Sequence, residues 1–171
     1  MNYFELFYLP VTFPIDHALL SETYRELQKQ YHPDKFVMHS DSERLSAMQK
    51  STEINDAYQT LKNSCLRAQY LLLLAGVDIA LEQKTLQDTA FLMQQMEWRE
   101  TISAFTEDDE DEIEKFSQHL QQQVTDLEAK IAVQLQNNEL EACADSIRKL
   151  KFMLKLQIEL ASVEEKLFDG Y

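Results

Sequence analysis

Apolar side chains recur at helical spacing in the first part of this chain. Four of them share one face of a helix, at intervals of four, three and four residues: Leu20, Tyr24, Leu27 and Tyr31. The carboxylate of Asp16 can accept hydrogen bonds from the free amides of the first turn, so we predict that the helix begins there. Pro33 disfavours helical geometry at the residue before it, so we expect the helix to end near His32.

A second long helix follows after a short polar loop. Its apolar positions are Ala47, Ile54, Tyr58 and Leu61. Because few residues separate the two helices, we predict an antiparallel hairpin with residues 32–34 at its tip. A single helical turn at residues 3–7 precedes the hairpin. A fourth helix at residues 64–75 follows it, and Gly76 is placed to end that helix in left-handed geometry.

The second half of the chain predicts three more helices. One apolar stripe comprises Ile113, Phe116, Leu120, Val124, Leu127, Ile131 and Leu135. The next comprises Leu140, Cys143, Ile147, Leu150, Leu154, Ile158 and Ala161. Asn137-Asn138 is the turn signal between these two stripes, and we expect a helix over residues 86–105 to pack against both.

The composition supports a helical fold. The chain has only two glycines and three prolines, and all the prolines lie in its first fifth. Turn-rich β folds need such residues at regular spacing, so we predict an all-α protein. Its expected parts are a four-helix domain at residues 1–75, a connector at 76–85 and a three-helix bundle at 86–171.

Acidic charge is concentrated in the second half. The formal net charge is -14. Residues 1–75 carry seven basic and nine acidic side chains, whereas residues 76–171 carry nine and twenty-one. Such a surface repels phosphate backbones, so we expect no nucleic-acid partner. The contrast between the halves predicts that each serves a different partner.

Patterns for catalysis or metal binding are weak. The four histidines show no ligand pairing at i, i+4: His17, His32, His39 and His119. Two glycines could hardly build a phosphate-binding loop. Cys65 and Cys143 are far apart and an iron–sulfur cluster usually takes about four thiolates, so we expect reduced thiols and no bound cluster. We therefore predict no enzyme activity, no metal and no cofactor.

The apolar runs and the N-terminal composition indicate where in the cell the protein works. The start of the chain has no cationic signal region, and its longest apolar run is too short to span a bilayer. We expect a cytoplasmic, monomeric protein without a membrane partner. Residues 107–112 are six consecutive acids, which we interpret as a solvated loop and helix N-terminus rather than a metal site. An acidic scaffold for basic partners remains the alternative for this run.

The most specific motif is His32-Pro33-Asp34. It follows a helix whose polar side carries Arg25 and Lys29, and it precedes a second long helix. Residues 1–75 resemble a J domain, the module by which a co-chaperone engages the ATPase of an Hsp70 chaperone.

The resemblance extends over the whole chain. The segments NYFELF (2–7), QYHPDKF (30–36), AQYLL (68–72) and DTAFLM (88–93) resemble the HscB family, the J-type co-chaperones of iron–sulfur cluster assembly. General J proteins carry a Gly/Phe-rich linker and a cysteine-rich zinc region, and this sequence has neither. The resemblance therefore implies a specialised Hsp70 partner. The extra N-terminal cysteine module of the eukaryotic members is also missing from this sequence, so we expect a bacterial form of the family.

The resemblance implies which residues would contact the Hsp70: His32, Pro33, Asp34, Arg25, Lys29 and Lys35. Asp34 can accept charge-assisted hydrogen bonds from an arginine. Arg25 and Lys29 can steer an acidic patch on the partner. Purely structural interpretations stay open, with His32 as a helix C-cap and the basic pair as a solvated face.

A second apolar patch lies on the helix over residues 86–105. At 100° per residue, one face comprises Phe91, Trp98, Ile102 and Phe105, and a separate patch comprises Leu92, Met93 and Met96. In the last helix Phe152 and Leu156 lie off the main stripe, and we expect Leu156 to be core. By the resemblance, the scaffold protein on which clusters are assembled would contact Leu92, Met93, Met96, Glu97, Glu100 and Phe152.

These expectations combine into one functional hypothesis. The protein would stimulate the ATPase of a specialised Hsp70 and deliver the iron–sulfur scaffold protein to it. The alternative is an acidic helical adaptor whose J domain serves a different Hsp70 client.

Overall fold

The computed structural model describes residues 1–80 and 88–169, which form helices and contain no strand. The predicted all-α class is confirmed. The chain divides into two compact units, Met1–Gly76 and Val77–Tyr171. Part of the predicted connector, residues 81–85, lies outside the described residues. None of the described helices has the length and apolar character that a membrane span requires.

The first unit contains four α-helices and one short 3-10 helix. In chain order these are α1 (Tyr3–Leu6), α2 (His17–Gln30), the 3-10 helix (Pro33–Phe36), α3 (Asp41–Lys62) and α4 (Ser64–Leu74). Asp16 caps α2 as predicted, because its carboxylate accepts from the Leu19 N–H at 3.0 Å. Gly76 has φ +95°, the left-handed geometry expected after α4.

The core of the first unit joins all four α-helices. Its largest fully buried side chains are Phe4, Phe7, Leu20, Ile54, Leu61 and Leu72. The Tyr3 N–H donates to the Tyr70 hydroxyl at 2.9 Å, and the two rings stack at 4.6 Å, which fastens α1 to α4. The buried Arg67 guanidinium donates to the carbonyls of Phe13 and Leu61, both at 2.7 Å. These contacts make a rigid frame for the α2–α3 hairpin.

The second unit contains α5 (Thr89–Ala104), α6 (Glu110–Gln136) and α7 (Leu140–Phe168). Salt bridges pair Asp88 with Lys149 and Arg99 with Glu159. The pair formed by the earlier residue before α5 also uses the earlier residue of α7, and the later pair uses later residues of both helices. The two helices therefore run parallel. The turn before α7 uses Asn138 at φ +57°, and α6 and α7 run antiparallel across it. The predicted three-helix bundle is confirmed.

The predicted stripe of α7 is wrong in its second half. Ile158 is 70% exposed and Ala161 is exposed, whereas Met153 and Leu160 are buried. Leu156 is fully buried, as predicted. A single straight stripe assumes that α7 has one neighbouring helix. Because α7 packs against both α5 and α6, the side of α7 that is buried changes along the helix.

The acidic run forms the start of α6. Residues Glu107–Asp109 form a 3-10 helix, and the next three acids occupy the first turn of α6. The Asp109 carboxylate accepts from the Thr106 N–H at 2.8 Å, completing a capping box. Carboxylates are favourable at this positive end of the helix dipole. The predicted solvated helix N-terminus is confirmed, and within residues 1–80 and 88–169 no three metal-ligating side chains cluster.

Candidate functional sites

The tripeptide lies at the exposed tip of the α2–α3 hairpin. Tyr31 caps the end of α2, since its N–H donates to the Leu27 carbonyl at 3.1 Å. His32 is extended before Pro33, and its Nδ1 accepts from the Asp34 N–H at 3.2 Å. His32 is therefore the N-cap of the 3-10 helix, and the alternative of a C-cap for α2 is wrong.

The carboxylate of Asp34 is presented to solvent. Its side chain is 88% exposed, and its nearest partner is His32 Nδ1, 3.6 Å from Oδ2. A distance of 3.6 Å is too long for a hydrogen bond, and Nδ1 already accepts the Asp34 N–H. The Asp34 carboxylate is thus available to a donor from outside the chain.

A shallow cleft beside the tripeptide collects most of the predicted partner-binding residues. Its lining is Arg25, Gln28, Lys29, His32, Asp34 and Lys35. Three cations and one exposed carboxylate face the same space, which suits a partner surface that carries both an acidic patch and an arginine. Sequence reasoning missed Gln28, although its position between Arg25 and Lys29 on one helix was a usable signal.

Pro33 lies apart from that cleft, in a neighbouring recess. The recess is lined by Pro33, Asp34, Phe36, Val37, Arg44 and Met48. Asp34 lines both spaces, so the tripeptide separates a cleft that contains three cations from a recess that contains Phe36, Val37 and Met48. Pro33 fixes the extended geometry of His32 and begins the 3-10 helix that presents Asp34.

The predicted patch on α5 is exposed. Leu92 is 40% exposed, Met93 61% and Met96 65%, and Glu97 and Glu100 are exposed beside them. Three large apolar side chains on one short helix segment form a surface that flexible methionines can adapt to a partner. Trp98 and Ile102, assigned to the other face, are buried.

Phe152 differs from the other predicted contact residues, because it is only partly exposed. Its ring packs edge-on against Phe91 at 5.8 Å and stacks near Trp98 at 6.3 Å. The Arg99 guanidinium lies 5.4 Å from its centroid. Phe152 therefore holds α5 against α7, and only part of its ring remains accessible.

The start of α5 is tied to α7 by charge. The Asp88 carboxylate accepts from the Phe91 N–H at 3.1 Å and from Lys149 Nζ at 2.7 Å. The hydrogen bond from Lys149 is the main reason that the pKa of Asp88 falls below its ordinary value of 3.8, and the Phe91 N–H adds to it. This contact fixes the end of the helix that carries the exposed patch.

The lowered pKa predicts how the second unit responds to acid. The contribution of Asp88 to stability is present above pH 3.8 and is lost as pH falls through the lowered pKa. Asn caps helices as well as Asp does, so Asp88→Asn removes the charge and keeps the cap. Thermal melts should show the variant less stable than wild type at pH 7, and the difference should shrink as pH falls below 3.8. A difference that persists unchanged at low pH would contradict this role.

Comparisons with known proteins show the family to which this chain belongs. The DnaJ domain family matches residues 2–70, and the HscB C-terminal oligomerisation domain family matches residues 87–161. The chain is 82% identical over 169 residues to the co-chaperone protein HscB homolog of Psychromonas ingrahamii, covering 99% of this chain and 100% of that protein. The chain belongs to the HscB co-chaperone family.

Solved structures of HscB proteins have the same fold. The Vibrio cholerae chaperone HscB is 44% identical, with a TM-score of 0.88, 98% of this chain covered and 100% of that one. The human co-chaperone HscB is 25% identical, with a TM-score of 0.89, 95% of this chain covered and 81% of that one. The resemblance to the HscB family and the predicted J-type co-chaperone role are confirmed. When a J-type co-chaperone works with an Hsp70, the ATPase activity belongs to the Hsp70.

Proposed function

We propose that this HscB-family protein stimulates the ATPase of a specialised Hsp70 through the basic cleft beside the tripeptide. It delivers the iron–sulfur cluster scaffold protein to that Hsp70 through the exposed patch on α5. The observation that carries the proposal is the convergence of Arg25, Lys29, Lys35 and His32 on one cleft around the exposed carboxylate of Asp34.

The chemistry of the cleft fits a charged partner surface. An arginine of the Hsp70 that reaches Asp34 would gain charge-assisted hydrogen bonds, each contributing about 1.5–3 kcal/mol when shielded from water. The surrounding cations attract an acidic patch and raise the association rate at low salt. The stimulation should therefore weaken as ionic strength rises.

The patch on α5 fits an apolar partner surface. Leu92, Met93 and Met96 supply contact area, and Glu97 and Glu100 supply a charged rim that fixes orientation. The accessible part of Phe152 extends this surface onto α7. The patch and the cleft lie in separate units, so one molecule can hold both partners and raise their effective concentration.

The remaining expectations stay part of the proposal. The protein works as a monomer in the bacterial cytoplasm, without a cofactor, a nucleic-acid partner or a membrane partner. The acids at residues 107–112 form a 3-10 helix and the first turn of α6, where the helix dipole favours carboxylates, and this supports the proposal over an acidic scaffold. A J-domain adaptor for a different client is distinguished by whether the iron–sulfur scaffold binds.

The direct test is the steady-state ATPase rate of the cognate Hsp70. Adding this protein should raise that rate in a saturable way, and the half-saturating concentration should increase with salt. An unchanged ATPase rate at saturating protein would overturn the proposed function.

A further inference from the structure

Three polar side chains join α2 to α3 about one turn before the tripeptide. The Tyr24 hydroxyl donates to Asn55 Oδ1 at 2.7 Å. Gln28 Nε2 donates to the Tyr24 hydroxyl at 2.6 Å and to Asn55 Oδ1 at 3.1 Å. Each member of this Tyr24–Gln28–Asn55 cluster contacts the other two, and all three are half-buried.

Ring stacking fixes where the centre of the cluster lies. The Tyr24 ring stacks on the Tyr58 ring of α3, with centroids 3.9 Å apart and planes 9° from parallel. The stack leaves the Tyr24 hydroxyl aimed at Asn55, which is one turn earlier on α3. The ring stack therefore holds the Tyr24 hydroxyl in place, and the hydrogen bonds to Asn55 fix the position of α2 relative to α3.

The cluster lies where the buried side chains of α2 stop. Leu27 is the last buried side chain of α2, and the next buried side chain along the chain is Ala47. Every residue from 28 to 46 is half-buried or exposed. Burial on α2 therefore ends before the tripeptide, and the hydrogen bonds to Asn55 help to hold the last turn of α2 against α3.

Gln28 belongs to both the cluster and the cleft. Its side chain lines the basic cleft together with Arg25 and Lys29, which flank it on α2. Its amide nitrogen is at the same time held by the Tyr24 hydroxyl and by Asn55. A shift of the C-terminal half of α2 away from α3 would break the two bonds to Asn55 and would move both cations.

We propose that the Tyr24–Gln28–Asn55 cluster positions the basic cleft for the Hsp70. The three side chains touch the partner at most through Gln28, and they act by holding Arg25 and Lys29 in the arrangement that binds. This inference rests on the proposed function, because it assumes that the cleft is the Hsp70 contact. A preorganised cleft loses less conformational entropy on binding, and the apparent affinity falls with the fraction of molecules in the competent arrangement.

The test compares two tyrosine-to-phenylalanine changes in one stack. Tyr24→Phe removes the hydroxyl at the centre of the cluster and keeps the ring, whereas Tyr58→Phe removes a hydroxyl outside the cluster and keeps the same stack. Stimulation of the cognate Hsp70 ATPase is measured over a range of co-chaperone concentrations. Tyr24→Phe should raise the half-saturating concentration about fivefold and leave the maximal stimulation unchanged. Tyr58→Phe should change neither.

A double-mutant cycle separates positioning from a general loss of stability. Asn55→Leu alone should raise the half-saturating concentration by a similar factor. Combining Tyr24→Phe with Asn55→Leu should raise it little further, because the residues act as one unit. Thermal melts of each variant define a temperature at which all are folded, and the assays run there. Additive losses, or a fall in maximal stimulation that follows thermal stability, would overturn the positioning role.

Asp34→Asn serves as the reference that tests the proposed function separately. If Asp34→Asn abolishes stimulation and Tyr24→Phe matches wild type, the positioning role is overturned and the proposed function stands. If Asp34→Asn stimulates as well as wild type, the proposed function fails and this inference fails with it.

Discussion

Replacing Asp34 with Asn should abolish most of the stimulation of the Hsp70 ATPase. The carboxylate is 88% exposed and caps no helix, so the change leaves the hairpin intact. The Asp34 N–H still donates to His32. The variant loses its charge-assisted bonds to a partner arginine, and a loss of about 2 kcal/mol lowers affinity roughly 30-fold. Steady-state ATPase assays at fixed salt measure the effect.

Asp41→Asn is the matched control for this variant. Asp41 is an exposed acid in the first turn of α3, in the same hairpin but outside both recesses that Asp34 lines. Asp41→Asn makes the same change of charge as Asp34→Asn, and this variant should stimulate the Hsp70 ATPase like wild type. Equal losses from both variants would show that the ATPase responds only to net charge.

Replacing Leu92 and Met96 with Ala should weaken binding of the scaffold protein without unfolding the second unit. Both side chains are exposed, so the change should cost less than about 1 kcal/mol of stability. The lost contact area should raise the Kd for the scaffold roughly tenfold or more. Isothermal titration measures binding, and thermal melts measure stability.

Val133→Ala with Ile158→Ala is the control for this pair. Val133 is 55% exposed and Ile158 is 70% exposed, and both lie in the same unit on other helices. This variant removes similar apolar area and should bind the scaffold like wild type. A large loss of stability in Leu92→Ala with Met96→Ala would mean instead that these residues are core.

Local signals in the sequence predicted most of the fold. The Asp16 cap, the Pro33 stop and the Gly76 end of α4 each depend on a few neighbouring residues, and each is found in the structure. The exposed patch on α5 followed from helical geometry alone, since Leu92 and Met96 project away from the face of the buried Trp98.

Features that depend on contacts between helices were not predictable in this way. The buried face of α7 changes between Ile147 and Leu160 because two helices pack against it. The tie of Gln28 to Asn55 spans 27 positions in the chain, and no local pattern indicates it. Helical angles placed Phe152 off the main stripe of α7 and the resemblance assigned it to the scaffold contact, but its packing on Trp98 required the structure.

The central claim is that one molecule brings an Hsp70 and the iron–sulfur scaffold together. The measurement that tests it most directly is the steady-state ATPase rate of the Hsp70 with this protein, with the scaffold, and with both. The account predicts that both together raise the rate by more than the sum of the separate increases. It also predicts that Asp34→Asn removes this excess. A rate with both partners that equals the sum of the two separate effects would contradict the account.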